Sequence, residues 1–268
     1  LSALTQCGTS VGLVASNCYF QVTLPAAIVR IVTANSGLEG SSTLVAAPAV
    51  ADVRPVVRYS AREEQLHYLT HGAGGVASLV GLAWLVYATA GRGTVLSLSC
   101  GVYGVALVTM FATSTGYHAV SARFTTAKRW LRTFDHCAIF LLIAATYTPF
   151  VAVSVGGTSA LLSLGAVWLV ALLGIVTKVS KSARFQAGPV IPSLILGVPL
   201  AFALPTIGRA LGTPGVTLLT VGGLTYAAGI PFYLWRRLGF HHAIWHLFVL
   251  VGSGLHFLTV ALYVVPRQ

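Results

Sequence analysis

The chain has 268 residues, of which 56% are hydrophobic and only 8% charged, with a formal net charge of +11. A soluble domain carries roughly 25% charged residues, so this composition cannot supply a water-facing surface and excludes an ordinary soluble protein. The positive balance invites a nucleic-acid reading, but the basic residues sit in short connections between apolar stretches, where they set topology and meet anionic lipid headgroups.

In chain order, residues 1–57 stand apart. Val11 to Val32 is mildly apolar, yet Pro25 and Arg30 interrupt it and no basic leader precedes it, so no signal peptide is expected. Ser, Thr, Gly and Ala dominate from Thr33 to Ala51. The segment reads as a flexible or disordered tail with no assigned function, and residues 58–268 as the transmembrane domain.

Seven apolar stretches follow, near 66–90, 94–117, 137–155, 158–177, 188–208, 214–235 and 243–265. Each approaches the ~20 residues that cross a bilayer core as a helix. Alternating strand patterns are absent, so a β-barrel is not expected. The expected fold is an all-α integral membrane protein, a seven-transmembrane helix bundle in the plasma membrane. Twelve basic residues occupy alternate connections: Arg54, Arg58 and Arg62; Arg123, Lys128, Arg129 and Arg132; Lys178, Lys181 and Arg184; Arg236 and Arg237. The other connections hold only Arg92, Arg209 and Arg267. Positive charge stays inside, so the N-terminus is expected in the cytoplasm and the C-terminus outside. Pro189, Pro192, Pro199 and Pro205 should bend the fifth stretch. There is no internal repeat, which weakens a transporter reading. Cys7, Cys18, Cys100 and Cys137 show no CxxC spacing, and no disulfide framework is expected.

The ionisable groups inside these stretches are the informative ones, because lipid makes them expensive. His242 and His246 are four residues apart and share one helical face. Relative to the basic connections, His118, Asp135 and His242 should lie just beneath the cytoplasmic headgroups. Ser114 and His246 should lie one turn deeper, about 6 Å at 1.5 Å rise per residue. Three imidazoles suit Zn²⁺ and leave a fourth position for water, whose pKa the ion lowers to about 7. His242-Ala243-Ile244-Trp245-His246 has no Glu, so this is not a soluble HExxH metalloprotease. The base must come from elsewhere. Asp135 is the candidate, one of only five acidic residues; a helix N-cap is its bland alternative. Ser114 is placed to hydrogen-bond the Asp or the water, or else to bond back to its own helix. Glu63 and Glu64 read most simply as partners of Arg58 or Arg62. His67 and His71 repeat the four-residue spacing and are candidates to support the ligands. His256 reads as a hydrogen-bonded bundle histidine, and Cys137 as a core residue.

These residues resemble a family. Glu63-Glu64-Gln65-Leu66-His67-Tyr68-Leu69-Thr70-His71-Gly72, Ser114-Thr115-Gly116-Tyr117-His118, Asp135-His136, Ala145-Thr146-Tyr147-Thr148-Pro149, His242-Ala243-Ile244-Trp245-His246 and His256-Phe257 are together similar to the motifs of the hemolysin III family, bacterial relatives of progestin and adiponectin receptors. The resemblance runs from about Tyr59 to Val265. It implies seven helices, a cytoplasmic N-terminus, Zn²⁺ on His118, His242 and His246, and Asp135 and Ser114 near the bound water. The family usually has Asn where this chain has His67. Alkaline ceramidases are wider relatives, so hydrolysis of a lipid amide follows by analogy. The expected function is to act on or sense membrane lipids through a zinc site, with lipids as partners, no nucleic acid and no assignable oligomeric state. A pore-forming cytolysin and a receptor-like sensor with structural zinc are the alternatives. A pore needs a polar face along its whole length, and the outer halves of these stretches are almost wholly apolar.

Overall fold

A computed structural model describes residues 59–180 and 190–267. The tail, Cys7, Cys18, Pro189, Arg54, Arg58, Lys181 and Arg184 lie outside the described residues. Among those described there is no β-strand. The helices are α1 (Ala61–Thr89), α2 (Thr94–Ala119), α3 (Thr125–Ser154), α4 (Gly157–Val179), α5 (Val190–Leu234) and α6 (His241–Thr259), the last continuing through a π-turn at Val260–Val264. Six described segments of 23 to 32 residues are long and apolar enough to cross a membrane. In lipid the backbone must satisfy itself internally, and helices do this without outside partners. Large apolar side chains such as Val76, Val80, Leu98, Leu161, Leu162 and Leu224 face outward. A protein whose outer surface carries this much Leu and Val is dissolved in lipid. The chain is an all-α, multi-pass membrane protein.

Local chemistry sets the start of the first helix. Ser60 opens α1 with a reciprocal cap. The Glu63 N–H donates to Ser60 Oγ at 3.3 Å, and the Ser60 N–H donates to Glu63 Oε2 at 2.9 Å. The third helix differs from expectation. It begins at Thr125 rather than near residue 137, so the basic run between the second and third apolar stretches is largely helical. That run contains Ala, Lys, Arg and Leu with no Gly or Pro, all good helix formers. Asp135 therefore lies well inside α3 and is not its N-cap, which is Phe124. Along α5, Gly212 has φ 72 and ψ 169, outside the helical region, and Pro214 follows it. Only glycine enters that conformation cheaply, and the run divides there into two helical segments.

The α1 helix packs against both α2 and α6, and α3 packs against α2, α4 and α5. Gly74 allows the first of these contacts: a Cβ there would stand 2.5 Å from the Phe111 ring. Phe111, Tyr103, Phe140, Phe150, Leu85 and Leu96 fill the core. The entry of α6 is tied to the entry of α1. Phe240 holds the one left-handed non-glycine backbone among the described residues, φ 56, a conformation that bulky side chains rarely adopt. Its N–H donates to Glu63 Oε1 at 3.3 Å and its carbonyl accepts from the Ile244 N–H at 3.0 Å. The same Glu63 that caps α1 thus anchors the turn that delivers His242.

Candidate metal centre

Two helices bring three imidazoles together. His118 comes from the last turn of α2, and His242 and His246 from the first turns of α6. Their ring centres lie 5.2 Å (His118 to His242), 5.0 Å (His118 to His246) and 4.6 Å (His242 to His246) apart. One donor atom from each lies within 4.8 Å of the others, and all three residues are buried. His118 Nε2 and both ring nitrogens of His242 have no hydrogen-bond partner. Buried polar atoms are normally satisfied. Convergent, unpartnered imidazole nitrogens fit a shared cation, and neutral imidazole is a good donor for first-row divalent ions.

The surroundings fix how two of these rings are presented. Glu64 Oε2 lies 2.7 Å from His118 Nδ1. With Nδ1–H donated to that carboxylate, the Nε2 lone pair is left for the cluster, as in the carboxylate–histidine pairs that orient metal ligands. The other oxygen, Oε1, accepts from Lys128 Nζ at 2.7 Å, and the ammonium also donates to the Val120 carbonyl at 2.9 Å. Lys128 is 2% exposed and stands 4.9 Å over the Tyr117 ring. It is therefore not one of the surface cations that set topology or meet lipid headgroups. A buried ammonium is tolerable because a carboxylate neutralises it. On the other side, His246 Nδ1–H donates to the His67 carbonyl at 3.3 Å, and the His246 ring stacks on His71 with centres 3.5 Å apart.

Ser114 and Asp135 sit beside the imidazoles rather than among them. Ser114 Oγ is 2.7 Å from His71 Nδ1, and the Asp135 side chain interacts with Ser114. Asp135 belongs to no donor set with the three histidines. It reaches the cluster through Ser114. His71 meets the cluster through its stack on His246. His256 lies elsewhere, its Nε2 3.2 Å from the Leu219 carbonyl. Cys100 and Cys137 are buried free thiols.

Three functional neighbours escaped the sequence reading. Glu64 reads there as a partner for Arg58 or Arg62, and Lys128 as a topology signal. Tyr59 carries no signal at all. It packs against the cluster, stacked on His242 with ring centres 5.3 Å apart and edge-on to His67 at 4.8 Å. Burial pushes its phenol well above the ordinary range. One clue was available for Glu64. A carboxylate one turn before His67 and two turns before His71 in an apolar stretch, in a chain with five acidic residues, demands a partner.

The model of the haemolysin-III related family matches residues 59–257, which contain every residue described in this site. The chain is 36% identical over 208 residues to a hemolysin-3 homolog of Bacillus subtilis (strain 168), covering 77% of this chain and 97% of that protein. It is 35% identical over 206 residues to hemolysin-3 of Bacillus cereus, covering 76% and 93%. A more distant likeness, 29% over 174 residues, is to the monocyte to macrophage differentiation factor of Homo sapiens, covering 62% and 70%.

Proposed function

The chain belongs to the haemolysin-III related family of membrane proteins, and from that premise we propose that it is a zinc-dependent plasma-membrane protein that acts on membrane lipids by hydrolysing a lipid amide. One observation carries the reading. A buried triad of imidazoles with unpartnered nitrogens stands near a carboxylate, Asp135, that interacts with Ser114 beside the cluster. His118, His242 and His246 would hold the ion. Zinc bound there supplies a Lewis acid that polarises a carbonyl and acidifies water. The chain's own residues supply the rest. Asp135 takes a proton from the attacking water and passes it to the departing amine, so amide and water become carboxylic acid and amine. Ser114 holds the Asp135 carboxylate in place. Glu64 fixes the His118 tautomer.

Seven spans with a cytoplasmic N-terminus are part of the proposal. With buried Lys128 set aside, the eleven-to-three division of basic residues supports it, and so does the break at Gly212, which splits α5 into two membrane-length pieces. In that orientation the site lies under the inner headgroups, where a lipid amide bond also lies.

The test is metal analysis of detergent-purified protein followed by assay against ceramide-like amides. The expected result is close to one zinc per chain and metal-dependent release of fatty acid. Full zinc with no turnover across a broad lipid panel would leave a lipid sensor with structural zinc as the better reading. The name hemolysin-3 of the Bacillus cereus relative motivates a pore reading. Liposome leakage that persists in His118→Ala would favour it over the hydrolase.

A further inference from the structure

We propose that His67 is a fourth ligand of this metal centre, so that the resting site is closed by four imidazoles and water enters only when His67 withdraws. The inference rests on the zinc reading above and adds a residue and a control step to it.

His67 is fully buried, 0% exposed, and neither of its ring nitrogens has a hydrogen-bond partner. Such a side chain in a membrane helix needs a reason, since an uncharged apolar residue would cost nothing there. Its position supplies one. The His67 ring centre lies 4.5 Å from that of His118, 4.9 Å from His242 and 5.2 Å from His246. The three ligand rings are separated from one another by 4.6 to 5.2 Å. All six separations are nearly equal, and four points with equal separations form a tetrahedron. Imidazoles bound through one nitrogen at about 2.0 Å to a shared tetrahedral zinc place their ring centres roughly 5 Å apart. His67 therefore stands where a fourth imidazole belongs, on the side of the triad facing α1.

A second set of contacts gives the ring another place to go. His67 Nδ1 is 3.8 Å from Glu64 Oε2, and Glu64, His67 and His118 form a donor set of their own within 4.8 Å. In the arrangement described, the His67 nitrogen is turned toward Glu64 and outside the triad's donor set. Rotation of one ring, with no helix movement, exchanges the two environments. His67 Cα stays anchored because its carbonyl accepts from His246 Nδ1–H and from the Thr70 hydroxyl, at 3.3 and 3.0 Å. Turned inward, His67 completes a four-nitrogen shell of the kind found in structural sites; turned toward Glu64, it leaves the open position a hydrolytic site requires.

X-ray absorption on the full-length, detergent-purified zinc protein decides the matter. The expected wild-type result is four imidazole scatterers. His67→Asn should show three and one light oxygen ligand while keeping its zinc. Cobalt(II) substitution gives a second readout. The wild-type visible spectrum should be insensitive to added azide, whereas His67→Asn, or His67→Gln if the first variant folds poorly, should shift on titration. Three imidazoles and an oxygen in the wild type, with azide shifting its cobalt spectrum as readily as the variant's, would overturn the proposal and leave the three-histidine zinc site standing. A wild type that binds neither ion would overturn the zinc reading itself, and this inference with it.

Discussion

His246 and His256 lie on the same helix, both buried, and only one belongs to the candidate metal cluster. Around His256 the polar groups are local and sparse. Its Nε2 faces the Leu219 carbonyl at 3.2 Å, the Tyr226 ring lies 5.4 Å away, and Tyr226 pairs with Ser253 at 2.7 Å. Gly222 makes room for the ring, since a Cβ there would come within 2.4 Å of His256 Cδ2. Around His246 four other histidines, a carboxylate and a lysine converge from α1, α2, α3 and α6. A histidine near a carbonyl and a hydroxyl ties helices together. A histidine among unpartnered imidazoles implies an ion that binds them all. What separates the two is whether donors from different helices share one point, since residue type and burial are the same.

The contrast breaks first at the ligands. His242→Ala should remove nearly all bound zinc, as read by metal analysis of purified protein, while His256→Ala should leave zinc content unchanged. Equal zinc in both variants would mean the two regions do not differ in kind. Next comes Asp135→Asn, which keeps the Ser114 contact and the ion but removes the proton acceptor. Turnover on amide substrate should fall about 10²–10⁴-fold with zinc content intact, which separates catalysis from metal binding.

Glu64→Gln should weaken zinc binding by about 10–100-fold, as for other carboxylates that orient a ligating histidine, measured by competition with a chelator of known affinity. It also strands Lys128, so a loss of folding is expected alongside. The double variant Glu64→Gln with Lys128→Met removes that stranded charge. Its melting temperature should recover and its zinc affinity should not. The smallest effect is expected in the other region. Tyr226→Phe deletes the bond to Ser253 and should cost about 0.6 kcal/mol, the usual worth of such a bond between membrane helices, with zinc content untouched. A Tyr226→Phe variant that loses zinc would show the two regions to be one coupled site.

Much of this was legible from residue order. Composition alone excludes a water-facing surface, and the length of the apolar runs sets membrane-crossing helices, because lipid leaves the backbone few other choices. The four-residue spacing of His242 and His246 puts them on one face, since a helical turn has 3.6 residues. The basic connections place His118 near the same depth. The short-range rules failed where a charge found a distant partner. Lys128 looked like a surface cation because its neighbours are Arg129 and Arg132, yet it faces inward to Glu64, 64 positions earlier. Asp135 looked like a helix start because the apolar run begins just after it, yet α3 had already begun at Thr125.

By itself, then, the order of residues determined the solvent, the helical class and which side chains were too polar for lipid to ignore. The tertiary structure decided which of them meet: Glu64 with His118 and Lys128, Ser114 with both His71 and Asp135, and His67 beside three other rings. Helical periodicity constrains a residue only against its neighbours within a few turns. Contacts across helices depend on how those helices cross, and here that depends on close approaches such as Gly74 against Phe111 and on the left-handed turn at Phe240 held by Glu63.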